Sequence, residues 1–405
     1  MAAHESDHAS SLAKAEKAIG GVTEDPYDEF EPSKSVEVIE APPDMTQAIA
    51  GKLSIWTLLV VIMELCERFA YYGASLMFSI YLQKTLGRTK PQSIALNRVN
   101  QFVSYGTTIL GAIVADQWVG KFKAILIFAV LYFIGLILLA ISSADFSIKG
   151  GFGLAGFCIS VYAFIGFGTG GIKSNVSSFM AEQIPIGYKP TKTPGVYEDS
   201  KMTVERGFRY FYWSVNIGAF AGQMICPQVA KHKSYALAFA IPAIMFFVGI
   251  VIFVAGSKNY VKKPPQGTVL LKVWRCMKYA RKNKREGQQH WLDGALNAQG
   301  QEWNDEFVIG LQRSLRACKI FASVTGLEFA FSQAPAELKS VLTALFLFTN
   351  CGGALIGLIL AIWGGDPQVL YVFAAETTIL GVLAVVFYFC FRHYDDMVAE
   401  QEQFK

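Results

Sequence analysis

The sequence predicts an all-α polytopic membrane protein. Its 405 residues are 53% hydrophobic and only 17% charged, whereas soluble domains average roughly 25% charged residues. Runs of about 20 apolar residues, the length that a spanning helix needs, recur along the chain. The net charge of +4 gives no indication of a nucleic-acid partner. The histidines and cysteines show no spacing that would indicate an enzyme, a metal site or a cofactor.

The first two thirds of the chain divide into a tail and a bundle. Residues 1–50, rich in acids, Ser, Ala and Pro, are predicted to form a disordered cytosolic tail. Residues 51–256 are predicted to form a six-helix bundle, with spans near 53–82, 98–117, 121–142, 152–174, 208–229 and 235–256. Most basic residues fall in loops that share a side with the N-terminus, which indicates a cytosolic N-terminus; Arg88, Lys90 and Arg98 are exceptions.

A polar segment, 257–316, is predicted to be a cytosolic linker. Residues in it recur at helical spacing and predict an amphipathic helix on the membrane surface: Leu270, Leu271, Trp274, Met277 and Lys278. The linker separates the bundle from a second group of apolar segments.

Residues 317–395 form that second group and precede a short cytosolic tail, 396–405. Two segments in it, near 340–363 and 369–392, are clear spans. The segment 317–335 contains Lys319 and Glu328, and its apolar core is short, so it either spans the membrane or lies re-entrant or in the interface. The chain is therefore predicted to have eight or nine spans.

The first span carries a charged stripe. Glu64, Glu67 and Arg68 lie in an otherwise apolar run, where each charge costs about 2.5–3.5 kcal/mol on insertion scales. Helical spacing places Tyr71 and Tyr72 on the same face. A spanning helix with one charged, tyrosine-lined face predicts a pathway for a hydrophilic solute.

Lys173 ends the fourth predicted span, within Gly-Phe-Gly-Thr-Gly-Gly-Ile-Lys (166–173). In one interpretation the side chain extends to the cytosolic interface. In the other it faces the carboxylates of Glu64 and Glu67, where protonation would make or break an ion pair. The residues alone leave both open.

Three further polar side chains lie in predicted spans. Tyr105 is in the second span, and Tyr212 and Asn216 are one helical turn apart in the fifth. Such residues are either interface anchors and interhelical hydrogen bonds or ligand contacts.

The second and third spans are joined by a motif of Gly111, Asp116, Gly120 and Lys121. Glycines there permit a tight reversal and close helix contact, and the charges can pair or cap helix ends. The pattern resembles the loop signature of the major facilitator superfamily; the alternative is an ordinary charged turn.

Three motifs, in this order, resemble the proton-coupled oligopeptide transporter family: Glu-x-x-Glu-Arg-Phe-x-Tyr-Tyr-Gly (64–73), Gly-Thr-Gly-Gly-Ile-Lys (168–173) and Phe-Tyr-x-x-x-Asn-x-Gly (211–218). The residues of the first motif resemble those of the family's fungal di- and tripeptide transporters. The resemblance implies the major facilitator fold, two six-helix halves around a site that opens alternately to either side. It also implies a plasma-membrane protein with protons and di- or tripeptides as partners, and no cofactor.

Residue roles follow from the same resemblance. Proton coupling is implied for Glu64, Glu67, Arg68 and Lys173, with Lys173 also contacting the peptide carboxylate. The peptide pocket is implied to be lined by Tyr71, Tyr72, Tyr105, Tyr212 and Asn216.

The chain departs from the family pattern in several places. Arg98 stands where mammalian members have a second-span histidine, and Ser174 and Glu182 replace the usual Pro and Asp. Residues 316–321 resemble the entry to the seventh span and 320–335 resemble the end of the tenth. The C-terminal bundle is therefore predicted to lack spans seven to nine and part of ten, and Lys319 occupies the position of an acid.

Three functions remain open from these residues. The first is a proton-coupled di- and tripeptide symporter, intact or impaired by the deletion. The second is a non-transporting shortened isoform, or the product of an incorrectly assembled coding sequence. The third is a symporter of nitrate or another small solute in the same family, against which the pocket tyrosines argue.

Overall fold

The computed structural model describes residues 42–265, 269–283, 291–296, 298, 300–317, 339–360 and isolated positions between 371 and 385. Long helices dominate this part of the chain. In order they are α1 (Ile55–Lys84), α2 (Lys90–Val114), α3 (Lys121–Ser142), the short α4 (Asp145–Lys149), α5 (Gly153–Glu182), α6 (Ser200–His232) and α7 (Tyr235–Ala255). They occupy the six segments that the sequence predicts as spans, although α5 and α6 are longer than predicted.

Hydrogen-bonding caps begin four of these helices. Ser54 caps α1 by accepting from the Thr57 amide at 3.1 Å, and Thr89 and Gln92 form a capping box at the start of α2. Asp199 caps α6, and Ser234 caps α7. Each cap satisfies a backbone N–H that has no partner within the helix.

Helix α1 packs closely against α6 through glycines. A Cβ at Gly222 of α6 would lie 3.1 Å from the backbone nitrogen of Gly73 in α1 and would collide with the carbonyl oxygen of Phe69. A Cβ at Gly218, one turn earlier, would collide with the carbonyl of Leu65. The Gly-x-x-x-Gly spacing therefore lets the two backbones touch.

Two of the helices contain π-helical turns. One, Ala115–Val119, continues α2, and the other, Ile159–Gly166, interrupts α5. π-Turns of this kind occur often at functional sites in helices. Here the first holds Asp116 of the predicted loop motif.

A small sheet joins the chain before α1 to the loop before α6. Its strands are β1 (Gln47–Ala50), β2 (Tyr188–Pro190) and β3 (Val196–Asp199), in the order β1-β3-β2. β1 pairs parallel with β3, and β2 pairs antiparallel with it. The prediction of a disordered tail over 1–50 is therefore wrong at residues 47–50, because a partner strand distant in sequence satisfies their backbone groups. Residues 1–41 lie outside the described part.

The predicted linker contains a helical unit with a core of its own. Its elements are α8 (Val269–Lys282), a 3₁₀ turn (Trp291–Ala295) and α9 (Asp305–Ala317). The core is formed by Val273, Cys276, Ala280, Leu292, Ala295, Trp303, Phe307, Val308 and Leu311. The predicted helix is present as α8. Trp274 of its predicted apolar face is 58% exposed, and the contact of that face with the membrane surface stays a prediction. The burial is decided by packing against α9 and the 3₁₀ turn.

The last described helix, α10 (Lys339–Leu360), corresponds to the predicted segment 340–363 and packs along α2. The segment 317–335, including Lys319, and most of 369–392 lie outside the described residues, so the choice between eight and nine spans stays a prediction. By length and composition, α3, α5 and α7 are apolar enough to cross a membrane.

Candidate functional site

The three charges of α1 form a buried ion triad. Arg68 Nε lies 2.8 Å from Glu64 Oε1, and Arg68 NH2 lies 2.5 Å from Glu67 Oε2. The relative exposures of Glu64, Glu67 and Arg68 are 3%, 0% and 5%. The charges therefore face the interior of the bundle, where Arg68 pairs with both carboxylates, as buried intramembrane charges must be paired.

Thr169 links this triad to α5. Its Oγ1 donates to Glu67 Oε1 at 2.6 Å. The glycines on either side of Thr169 let α5 approach its neighbours α2 and α3. A Cβ at Gly170 would lie 2.6 Å from the carbonyl oxygen of Ser104 in α2, and a Cβ at Gly168 would lie 2.8 Å from the carbonyl oxygen of Phe128 in α3. Sequence reasoning assigned no role to Thr169, although it lies inside the motif 168–173.

Lys173 is buried in the bundle, at 8% exposure. Its Nζ lies 4.1 Å from the ring centroid of Tyr71 and 4.5 Å from that of Tyr105, and it has no hydrogen-bond partner among the described residues. The ammonium is held by the ring faces. The interpretation that Lys173 extends to the interface is therefore wrong.

The predicted direct pairing of Lys173 with Glu64 and Glu67 is also corrected. Arg68 bonds both carboxylates, because Arg68 is one helical turn from Glu64 on the same helix, whereas Lys173 must reach across from α5. Lys173 interacts with the two carboxylates only over a longer range.

A cavity of about 760 Å³ opens next to Lys173 and its two ring contacts. The predicted pocket residues Tyr71, Tyr72 and Tyr105 all line it. Its other described lining residues come from α1, α2, α6, α10 and position 379: Ser75, Leu76, Asn97, Arg98, Asn100, Gln101, Gln223, Asn350, Gly353, Ala354, Ile356, Gly357, Leu360 and Ile379. The cavity thus lies between the six-helix bundle and α10.

Two predicted pocket residues do not reach this cavity. Tyr212 and Asn216 are absent from its described lining. The Asn216 side chain is exposed and donates to the backbone carbonyl of Tyr212, 2.8 Å away. Helix α6 instead contributes Gln223, nearly two turns further along. The one-turn spacing predicted a shared face but not which way that face points.

Sequence reasoning missed the polar face of α2. Asn97, Arg98, Asn100 and Gln101 line the cavity, and only Arg98 had been noted, as a departure from the family. The signal that identifies them is four polar residues within five positions of a helix predicted to span the membrane. Among the described residues, no cluster of His, Cys, Asp or Glu has the composition of a metal site.

The loop motif makes the predicted tight reversal. Gly120 has φ +77°, a conformation that favours glycine, and Lys121 begins α3 directly after it. Lys121 Nζ pairs with Glu182 Oε1 at the end of α5, 2.6 Å away, so the glutamate at this departure from the family pattern makes an ion pair. A Cβ at Gly111 would lie 2.7 Å from Ser174 Oγ, so this glycine allows α2 and α5 to meet.

Comparisons with known proteins agree with this architecture. A model described as "POT family" matches residues 122–315. The chain is 26% identical to "Probable peptide transporter ptr2" of Schizosaccharomyces pombe over 559 residues, covering 98% of this chain and 90% of that protein. It is 36% identical to "Peptide transporter PTR_B" of Candidozyma auris over 68% of this chain, but spans only 49% of that relative.

Among solved structures, a "peptide transporter POT in complex with sulfate" matches 82% of this chain and 94% of its own, with a TM-score of 0.55 and 17% identity. A "proton dependent oligopeptide (POT) family transporter" matches with a TM-score of 0.51 and 19% identity, over 78% of this chain and 94% of its own. At such identities the likeness concerns the fold alone, and it confirms the predicted major facilitator fold. The chain belongs to the POT family.

Proposed function

We propose that this chain is a proton-coupled symporter of di- and tripeptides, placed in the plasma membrane with its N-terminus in the cytosol. The observation that carries the proposal is the buried triad of Glu64, Glu67 and Arg68 close to Lys173, whose ring contacts Tyr71 and Tyr105 line the cavity. The relatives that the chain matches are named peptide transporters.

The charges of the site explain how a proton and a peptide carboxylate bind together. With all four groups ionised, two carboxylates and two cations leave the cluster neutral. A proton on Glu64 or Glu67 leaves one positive charge in excess, and a substrate carboxylate restores neutrality. Each ligand therefore favours the binding of the other, which is the thermodynamic requirement for symport.

Lys173 is suited to hold the substrate carboxylate. Its ammonium has three N–H donors and no hydrogen-bond partner in the part of the chain that the structure describes. A carboxylate that displaces one of the ring contacts would gain charge-assisted hydrogen bonds. Lys173 interacts electrostatically with Glu64 and Glu67 without touching them. Protonation of either glutamate therefore changes how strongly Lys173 binds the substrate carboxylate.

The cavity suits a small peptide. Its volume of about 760 Å³ lies within the 300–1,000 Å³ that is usual for small-molecule sites. Three tyrosines supply apolar faces that tolerate varied side chains, while amides from α2 and α6 supply hydrogen bonds to the peptide backbone. The walls come from the bundle on one side and α10 on the other, an arrangement compatible with alternating access.

Uptake of a labelled dipeptide into cells that lack their own peptide uptake tests this function. We expect accumulation that rises at acidic external pH and is abolished by a protonophore. Glu64→Gln and Glu67→Gln should each remove the acid stimulation, and Lys173→Gln should abolish uptake, while Glu205→Gln, an exposed acid on α6, serves as the matched control. Uptake no greater than that of vector-only cells would refute the proposal.

A second candidate is a non-transporting isoform. The alignment with the S. pombe relative spans 559 residues, 154 more than this entire chain contains, so the chain must be gapped against it. A chain that lacks part of one half would have no complete partner for the rocking motion. If this candidate is correct, co-expression should lower the uptake or abundance of a full-length family member; unchanged values would exclude interference.

A further inference from the structure

Arg98 is the one charged side chain among the described residues that line the cavity. The other described lining residues are tyrosines, amides, a serine and apolar side chains. The triad and Lys173, which together are neutral, lie outside this lining. Arg98 therefore gives the described part of the cavity wall a net positive charge.

Among the described residues, no acidic side chain pairs with the Arg98 guanidinium. Its NH1 donates to Gln101 Oε1, one turn along α2, at 2.9 Å. None of the ion pairs in the described part of the chain includes Arg98. Of the five N–H donors that a guanidinium carries, this hydrogen bond uses one.

Helix α10 makes room for this side chain. A Cβ at Gly357 would lie 2.9 Å from Arg98 Nε and 3.1 Å from its Cδ. The absent side chain at Gly357 lets the half-buried guanidinium lie against the helix backbone. Arg98 is thus placed between α2 and α10, at the junction of the two cavity walls.

We propose that Arg98 selects peptides with an acidic side chain by binding the side-chain carboxylate. A planar guanidinium with free donors binds a carboxylate in a bidentate way, and the described lining of the cavity contains no carboxylate. Lys173 would hold the terminal carboxylate, leaving Arg98 for a second negative group. The class of substrate rests on the proposed function; the charge preference rests on the cavity.

Binding of two near-isosteric dipeptides to the purified full chain in detergent micelles tests this proposal directly. Alanyl-glutamate and alanyl-glutamine differ in one carboxylate. We expect the acidic peptide to bind about tenfold more tightly, as one charge-assisted hydrogen-bonded pair implies. Arg98→Gln should bind the two peptides equally. Arg98→Lys should keep part of the preference for the acidic peptide, because the charge remains but the bidentate geometry is lost.

Arg88→Gln is the matched control, since it removes an exposed cation from the loop before α2. The ratio of the two affinities is compared within each variant, so it does not depend on protein yield. Equal binding of the two peptides by the unmodified chain, or an unchanged ratio in Arg98→Gln, would overturn the proposal, as would binding of neither peptide. Uptake measured in parallel separates the two ideas: binding with the expected ratio but no uptake refutes symport alone.

Discussion

Replacing Arg68 with methionine removes the cation that holds both carboxylates of the ion triad. Arg68→Met keeps most of the side-chain volume, so packing changes little. Glu64 and Glu67, at 3% and 0% exposure, would lose partners at 2.8 and 2.5 Å. Glu67 would keep only its hydrogen bond from Thr169.

The size of the effect follows from this burial. Breaking a buried ion pair by removing one partner costs roughly 3–5 kcal/mol, because a charge stays buried without compensation. Two carboxylates lose the same cation here, so we expect a destabilisation of about 4 kcal/mol or more. Replacing all three groups with uncharged isosteres removes both orphaned carboxylates, although it leaves Lys173 without their negative charge, and should restore part of the stability.

The measurement is the free energy of unfolding in mixed micelles for the unmodified chain, Arg68→Met, and the triple variant Glu64→Gln, Glu67→Gln, Arg68→Met. The triple variant should be more stable than the single one by several kcal/mol. A triple variant no more stable than Arg68→Met would show that the cost comes from lost packing, and the interpretation that Arg68 stabilises the two buried carboxylates would be refuted.

Three further predictions concern other parts of the fold. Gly222→Leu should destabilise the bundle by about 1–3 kcal/mol or more through overpacking against α1. Gly352→Leu is the control and should leave the stability unchanged, because a Cβ there meets nothing within 4 Å. Thermal unfolding compares the two variants. Lys121→Met leaves Glu182 without its partner and should cost more than the about 1 kcal/mol of an exposed ion pair, because both side chains are only 13% exposed. A double-mutant cycle with Glu182→Gln should show coupling. Burial raises the pKa of Cys276 in the linker unit to about 11, so its thiol stays protonated at neutral pH and should react slowly with maleimide in the folded protein. An exposed cysteine introduced by Trp274→Cys should react fast. Peptide mass mapping measures both rates, and equal rates would contradict the packing of α8.

Much of the fold could be predicted because the membrane imposes simple rules. Spanning helices need long apolar runs, and each run in the first two thirds of the chain became a helix. The small sheet could not be predicted, since residues 47–50 pair with a strand almost 150 positions away and are too short to show a pattern. The buried face of α8 was also beyond the sequence, because α9 and the 3₁₀ turn decide which side of that helix is covered.

The functional residues show the same division. The chemistry of the stripe at 64–72 was evident from the sequence, because charge in an apolar helix requires an interior position. What the tertiary structure decided was pairing and direction: Arg68, and not Lys173, bonds the carboxylates. It also placed Asn216 outside the cavity and Gln223 at its wall.

The sequence by itself therefore determined the family, the helical bundle and the residue types of the site, since motifs and hydropathy are local properties of the chain. Only the tertiary structure decided that Lys173 rests on the rings of Tyr71 and Tyr105, that Thr169 joins the triad, and that Arg98 and Gly357 meet across the cavity. These are contacts between helices, and their geometry depends on how closely the glycines allow backbones to approach and on how each helix is rotated in the bundle.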